Sequence, residues 1–213
     1  MKEKIVISRP CYDTYEYENV VSLSQLQNFS LSQGYVCFNH FAKGSNIARQ
    51  REQGVAVARQ AKVDRILWVD SDIMVREDSL LMLLEDDKDI ISGVAVGKQP
   101  PFNFIIGRKN DDGDIVPIDK LPAKRLFNDI DGVGFGFMLI KTSVFDKIEP
   151  PYFVMGDNLG EDYYFCNKAK AAGLDLWVDT ECQVGHVGQY VYSINDREVE
   201  EPLIISPGGG MVH

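Results

Sequence analysis

Ile66-Leu67-Trp68-Val69-Asp70-Ser71-Asp72 is an apolar run that stops abruptly on two acids. Large hydrophobic residues at successive positions read as a strand buried on both faces, the kind found in a parallel sheet covered by helices. Open α/β sheets bind ligands outside the carboxyl ends of their strands, so the two acids stand where a ligand is expected. The same alternation continues outward from this strand. Ile5 to Ser8, Tyr35 to Asn39 and Ile90 to Val96 read as strands, while Glu18 to Gln33, about Ile47 to Ala61 and Asp78 to Glu85 read as helices. Such alternation predicts βαβ units and a largely parallel sheet. In the second helix Ile47, Val55, Ala58 and Ala61 fall near helical spacing. Ser45 or Asn46 stands at its N-cap, and Arg49 and Arg51 project from its first turns, a start suited to an anion.

Beyond Gly97 the text changes to Pro, Asn, Asp and Gly as far as Arg125, with short apolar pieces such as Phe102 to Ile106; this predicts hairpins and loops of the kind that carry substrate contacts. Gly132 to Ile140 reads as a glycine-rich turn running into a buried strand, followed by a short helix near Ser143 to Lys147 that Pro150-Pro151 ends. A last helix is expected at about Tyr163 to Ala172, preceded by Gly160-Glu161-Asp162 and followed by Gly173, with a strand at Leu174 to Val178. Pro207-Gly208-Gly209-Gly210 reads as a flexible tail. The expectation is one α/β domain over residues 1–213, without internal repeats.

At 213 residues, with 45% hydrophobic and 25% charged residues, the chain can bury a sizeable core, and disorder or a disulfide miniprotein is excluded. The formal charge of -10 argues against general nucleic-acid binding, because phosphate backbones are held by clustered Lys and Arg. Cys11, Cys37, Cys166 and Cys182 form no C-x-x-C pair and read as reduced core thiols, which favours a reducing, cytoplasmic setting. No signal peptide and no membrane span is expected, since no apolar run approaches about 18 residues.

A bare D-x-D pair carries little information. With 20 Asp in the chain chance gives roughly two such pairs, and four are present: Asp70/Asp72, Asp87/Asp89, Asp112/Asp114 and Asp129/Asp131. Only Asp70/Asp72 closes a buried strand. Alternate residues of an extended segment point the same way, so both carboxylates can converge on one hard divalent cation and the diphosphate it neutralises. The plain alternative is an acidic strand end facing solvent. His186, in Val184-Gly185-His186-Val187-Gly188, is a second candidate metal ligand, set between glycines that permit close approach; a hydrogen-bonded structural histidine is its alternative. Glu161 and Asp162 form the third candidate. Acids at a helix start are favoured by capping and the macrodipole, yet either could instead be a general base that takes the proton of an attacking hydroxyl.

The order of these features resembles the GT-A glycosyltransferases: a strand-end D-x-D, a Gly-x-Gly-Phe-Met-Leu-Ile strand, Gly-Glu-Asp before a helix, then Leu-Trp-Val-Asp and Val-Gly-His-Val-Gly. It is most similar to family-two-like and short bacterial or phage-type members, and the Val-Gly-His-Val piece is also similar to polypeptide N-acetylgalactosaminyltransferases. The resemblance implies an α/β GT-A fold, a mixed, mostly parallel central sheet flanked by helices. It further implies a donor-binding half at about 1–97, an acceptor and catalytic half at about 98–195 and a tail at about 196–213. The implied reaction moves a sugar from a nucleoside-diphosphate sugar to an acceptor hydroxyl with Mn²⁺ or Mg²⁺. Asp70 would lie near ribose or metal, with Ser71 beside it; Asp72 and His186 would hold the metal; and Asp162 or Glu161 would be the catalytic base. Ser8, Arg9 and Pro10 match the family's nucleobase-side loop, and Arg49 a basic position that contacts the donor. Two features depart from the family: Arg49-Gln50 where many members have Arg-Asn, and a short chain with little room for a separate acceptor domain. The acceptor (glycan, lipid, protein or modified nucleobase) is not specified. The rival readings are a noncatalytic nucleotide-sugar or carbohydrate-binding module and a sugar-phosphate nucleotidyltransferase. The latter would place a glycine-rich loop where Ser8-Arg9-Pro10-Cys11-Tyr12-Asp13 stands.

Overall fold

The computed structural model describes residues 2–156 and 159–198. Its strands in chain order are β1 (Lys4–Cys11), β2 (Val36–Lys43), β3 (Arg65–Val69), β4 (Ile73–Met74), β5 (Ile90–Val94), β6 (Ile106–Lys109) and β7 (Ile115–Pro117). They continue with β8 (Leu126–Phe127), β9 (Gly132–Val133), β10 (Phe137–Lys141), β11 (Trp177–Gln183), β12 (Gly185–Val187) and β13 (Val191–Tyr192). The helices are α1 (Tyr17–Ser32), α2 (Ile47–Ala61), α3 (Ser79–Glu85) and α4 (Glu161–Ala171), with 3₁₀ turns at Thr142–Asp146 and Ile194–Glu198.

Seven strands form the main sheet in the order β2-β1-β3-β10-β5-β11-β8. The pairs β1/β2, β1/β3 and β5/β11 are parallel, whereas β10 is antiparallel to both β3 and β5. The expected mostly parallel sheet is therefore present. β10, from the C-terminal half, is inserted between β3 and β5 of the N-terminal half, and β11 and β8 extend the sheet beyond β5, so both halves contribute to one sheet. Side-chain alternation along β3 builds two cores: Ile66 and Trp68 face the cluster containing Val55 and Ala58 of α2 and Phe165 of α4, while Leu67 and Val69 face Leu23 and Leu26 of α1 and Leu80 and Leu83 of α3. Gly54 lets α2 lie flat on this sheet. A Cβ there would come within 2.4 Å of Ser8 Oγ and 2.6 Å of Trp68 Cη2.

Several boundaries depart from the sequence expectation. The strand expected at Leu174–Val178 begins only at Trp177; Leu174 and Leu176 are buried by core packing, which gives them an apolar signature without ladder pairing. α4 begins two residues earlier than expected, with Gly160 as N-cap, so Glu161 and Asp162 belong to its first turn. Between β5 and β6 the chain is mostly irregular: Phe102 to Ile105 forms no strand, and only a single bridge joins Val96 to Phe104. Of the four free cysteines, Cys11, Cys166 and Cys182 are buried and Cys37 is half-buried. Among the described residues no helix is long and apolar enough to cross a membrane. The tail expected at Pro207 to Gly210 lies outside the described residues.

Candidate active site

The end of β3 is held in place by main-chain contacts. Asp70 N donates to Gly136 O at 3.1 Å, and Ile73 N closes the turn onto Asp70 O at 3.2 Å. Asn19, fully buried on α1, donates through Nδ2 to Asp70 O at 3.0 Å and to Ile73 O at 2.6 Å. Arg9 fixes that amide's orientation by donating from Nη2 to Asn19 Oδ1 at 2.6 Å, and its guanidinium lies over the rings of Tyr15 and Phe41.

β4, just past the turn, pairs antiparallel with β12 and puts His186 opposite Ile73; Val187 N donates to Asp72 O at 2.7 Å. His186 Nε2 consequently faces Asp72 Oδ2 at 3.4 Å. The other ring nitrogen, Nδ1, lies 2.9 Å from Val96 O. A carbonyl oxygen only accepts, so Nδ1 carries a hydrogen and Nε2 is the nitrogen turned toward the carboxylate. Lys98 Nζ also approaches Asp72 Oδ2, at 2.6 Å. Burial alone would raise the pKa of Asp72, but hydrogen bonds from His186 and Lys98 hold it down at about 2.

Asp70 points elsewhere. Its Oδ1 accepts from Arg51 Nη2 at 3.0 Å, while Arg51 Nε donates to Glu161 Oε1 at 2.9 Å. The Arg51 side chain is only 2% exposed and packs against Trp68 and Phe135, so a buried guanidinium ties the β3 turn to the first turn of α4. Burial raises the pKa of Asp70, an effect that Arg51 opposes. Asp162 follows on the same helix turn, with Oδ1 accepting from Tyr163 N at 2.8 Å. Loss of solvent, reinforced by the neighbouring Glu161 charge, pushes its pKa up to about 6. Gly134 leaves the ground beside it open: a Cβ there would lie 3.7 Å from Asp162 Oδ2 and strike Ile105.

The structure thus brings Asp72 and His186 together and places Asp70, Glu161 and Asp162 around one arginine. Among the described residues, no group of three His, Cys, Asp or Glu side chains stands ready as a cation site. Asp70, expected near ribose or metal, has its Oδ1 held by Arg51. Glu161 is likewise taken up by Arg51 and caps nothing, which leaves Asp162 as the freer carboxylate. A cleft of about 230 Å³ is lined by Pro10, Cys11, Tyr12, Gly44, Ser45, Ile47 and Gln50 and ends on Asp70, Ser71 and Asp72. Pro10 and Ser71, expected on the donor side, both line this cleft. Ser8 and Arg9 do not line it: Ser8 is buried with Oγ 3.2 Å from His40 Nδ1, and Arg9 holds Asn19. Arg49 is exposed on an adjoining depression with Lys43 and Asn46, and Asn46, the observed N-cap, accepts from Arg49 N at 2.9 Å. Gln50 shapes the cleft wall by accepting from Cys11 N and donating to Gly44 O. The remaining D-x-D pairs are not part of this site. Asp87 and Asp89 pair with Arg65, Lys141 and Lys147; Asp112 and Asp114 lie in an exposed turn; and Asp129 and Asp131 pair with Arg108 and Lys170. Sequence reasoning missed the central role of Arg51 and all of Lys98; the one signal for Arg51 was its place one turn into α2 and three residues before Gly54.

No protein-family model and no curated protein matches the chain. Solved structures do. A197 from STIV superposes with a TM-score of 0.64 at 16% identity, covering 97% of this chain and 100% of that one. A mutant of the Drosophila β1,4-galactosyltransferase 7, in complex with manganese, UDP-Gal and xylobiose, superposes with a TM-score of 0.53 at 16% identity, covering 87% of this chain and 71% of that one. The fold is GT-A. The inositol-1-phosphate CTP transferase from T. maritima overlaps more loosely, with a TM-score of 0.42 at 15% identity over 84% of this chain and 89% of that one.

Proposed function

We propose that this chain is a metal-dependent glycosyltransferase that moves a sugar from a nucleoside-diphosphate sugar to an acceptor hydroxyl. The observation that carries the reading is the convergence of His186 on Asp72 at 3.4 Å, from two distant segments, at the end of a cleft built on the β3 terminus. Their donor chemistry fits a divalent cation. One carboxylate and one imidazole fixed by its second nitrogen match a site completed by substrate phosphates, and the nitrogen tilts the choice toward Mn²⁺ over Mg²⁺. When bound, such an ion supplies Lewis-acid stabilisation of charge on the departing diphosphate.

The chain's own groups do the rest. Asp70, anchored through Oδ1 by Arg51, keeps Oδ2 for the donor's ribose. Asp162, with a pKa of about 6, is ionised at neutral pH yet basic enough to accept a proton. As the acceptor oxygen bonds to the anomeric carbon, its proton passes to the Asp162 carboxylate and the carbon–oxygen bond to the diphosphate breaks, releasing the nucleoside diphosphate with inversion. The preferred test is a thermal-shift panel of UDP, GDP, TDP and CMP sugars, each with and without Mn²⁺, because a ligand that binds only the folded state raises its melting temperature. One donor should stabilise strongly and only with the ion. Asp72→Ala should abolish that stabilisation and weaken Mn²⁺ binding at least tenfold by calorimetry; wild-type affinity in that variant overturns the ligand assignment.

A further inference from the structure

We propose that Lys98 is a cationic latch on the donor site: its ammonium neutralises Asp72 until a diphosphate draws it away, so that metal and nucleoside diphosphate bind as one event. The inference rests on the glycosyltransferase reading above. Lys98 Nζ lies 2.6 Å from Asp72 Oδ2, the oxygen that also faces His186 Nε2. A divalent ion at that oxygen and an ammonium beside it repel strongly, so the two exclude each other.

The arrangement is built in. A Cβ at Gly188 would lie 3.3 Å from Lys98 Cδ and 2.8 Å from the Tyr192 ring, so the last glycine of Val184-Gly185-His186-Val187-Gly188 gives the lysine stem its path to Asp72. Lys98 is part-exposed, at 33%, on the irregular segment between β5 and β6, and its flexible four-carbon stem can move the ammonium without moving the backbone. A diphosphate carries more negative charge than one carboxylate and offers Lys98 the stronger partner. As Lys98 moves onto it, Asp72 Oδ2 is freed for the metal, whose remaining ligands come from the same diphosphate and from water. Metal and nucleotide affinities are then coupled, and the coupling is reciprocal.

The test uses Lys98→Met and Lys98→Arg in calorimetric titrations with Mn²⁺ alone, then with UDP, GDP, CDP, ADP and TDP in turn at saturating Mn²⁺. Lys98→Met should bind Mn²⁺ alone about tenfold or more tightly than wild type, and the nucleoside diphosphate about tenfold or more weakly. Lys98→Arg should restore most of the nucleotide affinity. Opposite shifts in the two affinities are the signature, since mere loosening of the site moves both the same way. Unchanged Mn²⁺ affinity, or parallel shifts, overturns the latch and leaves the glycosyltransferase reading standing; absence of nucleoside-diphosphate binding in wild type overturns both. A melting curve checks that Lys98→Met is folded, and Lys98→Gln repeats the measurement if it is not.

Discussion

Asp162→Asn separates what the active site needs from what the fold prefers. The native carboxyl has a pKa of about 6 against an ordinary value of 3.8, because it is largely removed from water and lies beside Glu161. A group that binds its proton more tightly when folded adds no penalty below the unfolded pKa. Its cost grows as pH rises from about 4 to about 6, and is complete above that. A shift of roughly two units corresponds to a burden on the order of 3 kcal/mol at neutral pH, or roughly 6–12 °C in melting temperature for a chain of this size. Asparagine keeps the shape and the oxygen that accepts from Tyr163 N, but carries no charge to desolvate. The variant should therefore melt higher than wild type at pH 8 and equal to it at pH 4. Sugar transfer should meanwhile fall about 10²-fold or more with donor binding intact, and wild-type transfer should rise with pH through about 6. Melting curves at the two pH values, with a radiolabelled transfer assay, measure both sides. A variant no more stable at pH 8 than at pH 4, relative to wild type, refutes the burial argument; near-normal transfer refutes the base.

Arg51→Met should destabilise the chain by about 3–5 kcal/mol, because it strands the buried Glu161 carboxylate without its counter-ion. In Arg51→Met/Glu161→Gln more than half of that loss should return, and a urea-denaturation cycle showing no coupling contradicts the buried pairing. Gly54→Ala should cost about 1–3 kcal/mol by pushing α2 off Ser8 and Trp68; an unchanged denaturation midpoint counts against that close approach.

The sequence reveals β3 and its terminal acids plainly, since four consecutive buried apolar residues, Ile66 to Val69, leave a continuous apolar signature and the acids that follow have no place in a core. His186 is legible for a similar reason, flanked by glycines whose missing side chains make room for Val191, Met74 and Tyr192. Strand direction is not. Phe137 to Ile140 is as apolar as β3, and nothing in a local pattern says that β10 runs antiparallel between β3 and β5. Arg51 is hidden because a charged residue on a helix reads as solvent-facing; only tertiary packing brings the two carboxylates that justify burying it. The resemblance implies a nucleobase-side loop at Ser8 and Arg9, and no local pattern tells that one packs under α2 and the other steadies α1. Lys98 lies in a loop with no periodicity, so its partner in space leaves no trace in the text.

Asn19 grips the β3 turn by the carbonyls of Asp70 and Ile73 and touches neither acid's carboxylate. These main-chain grips hold the turn without calling on the side chain at position 72. A lineage or a protein engineer can exchange the reagent at position 72, for glutamate, histidine or asparagine, while the loop that presents it keeps its course. Selection for a different ion or donor would act there first, leaving Asn19 and Arg9 unchanged beneath it.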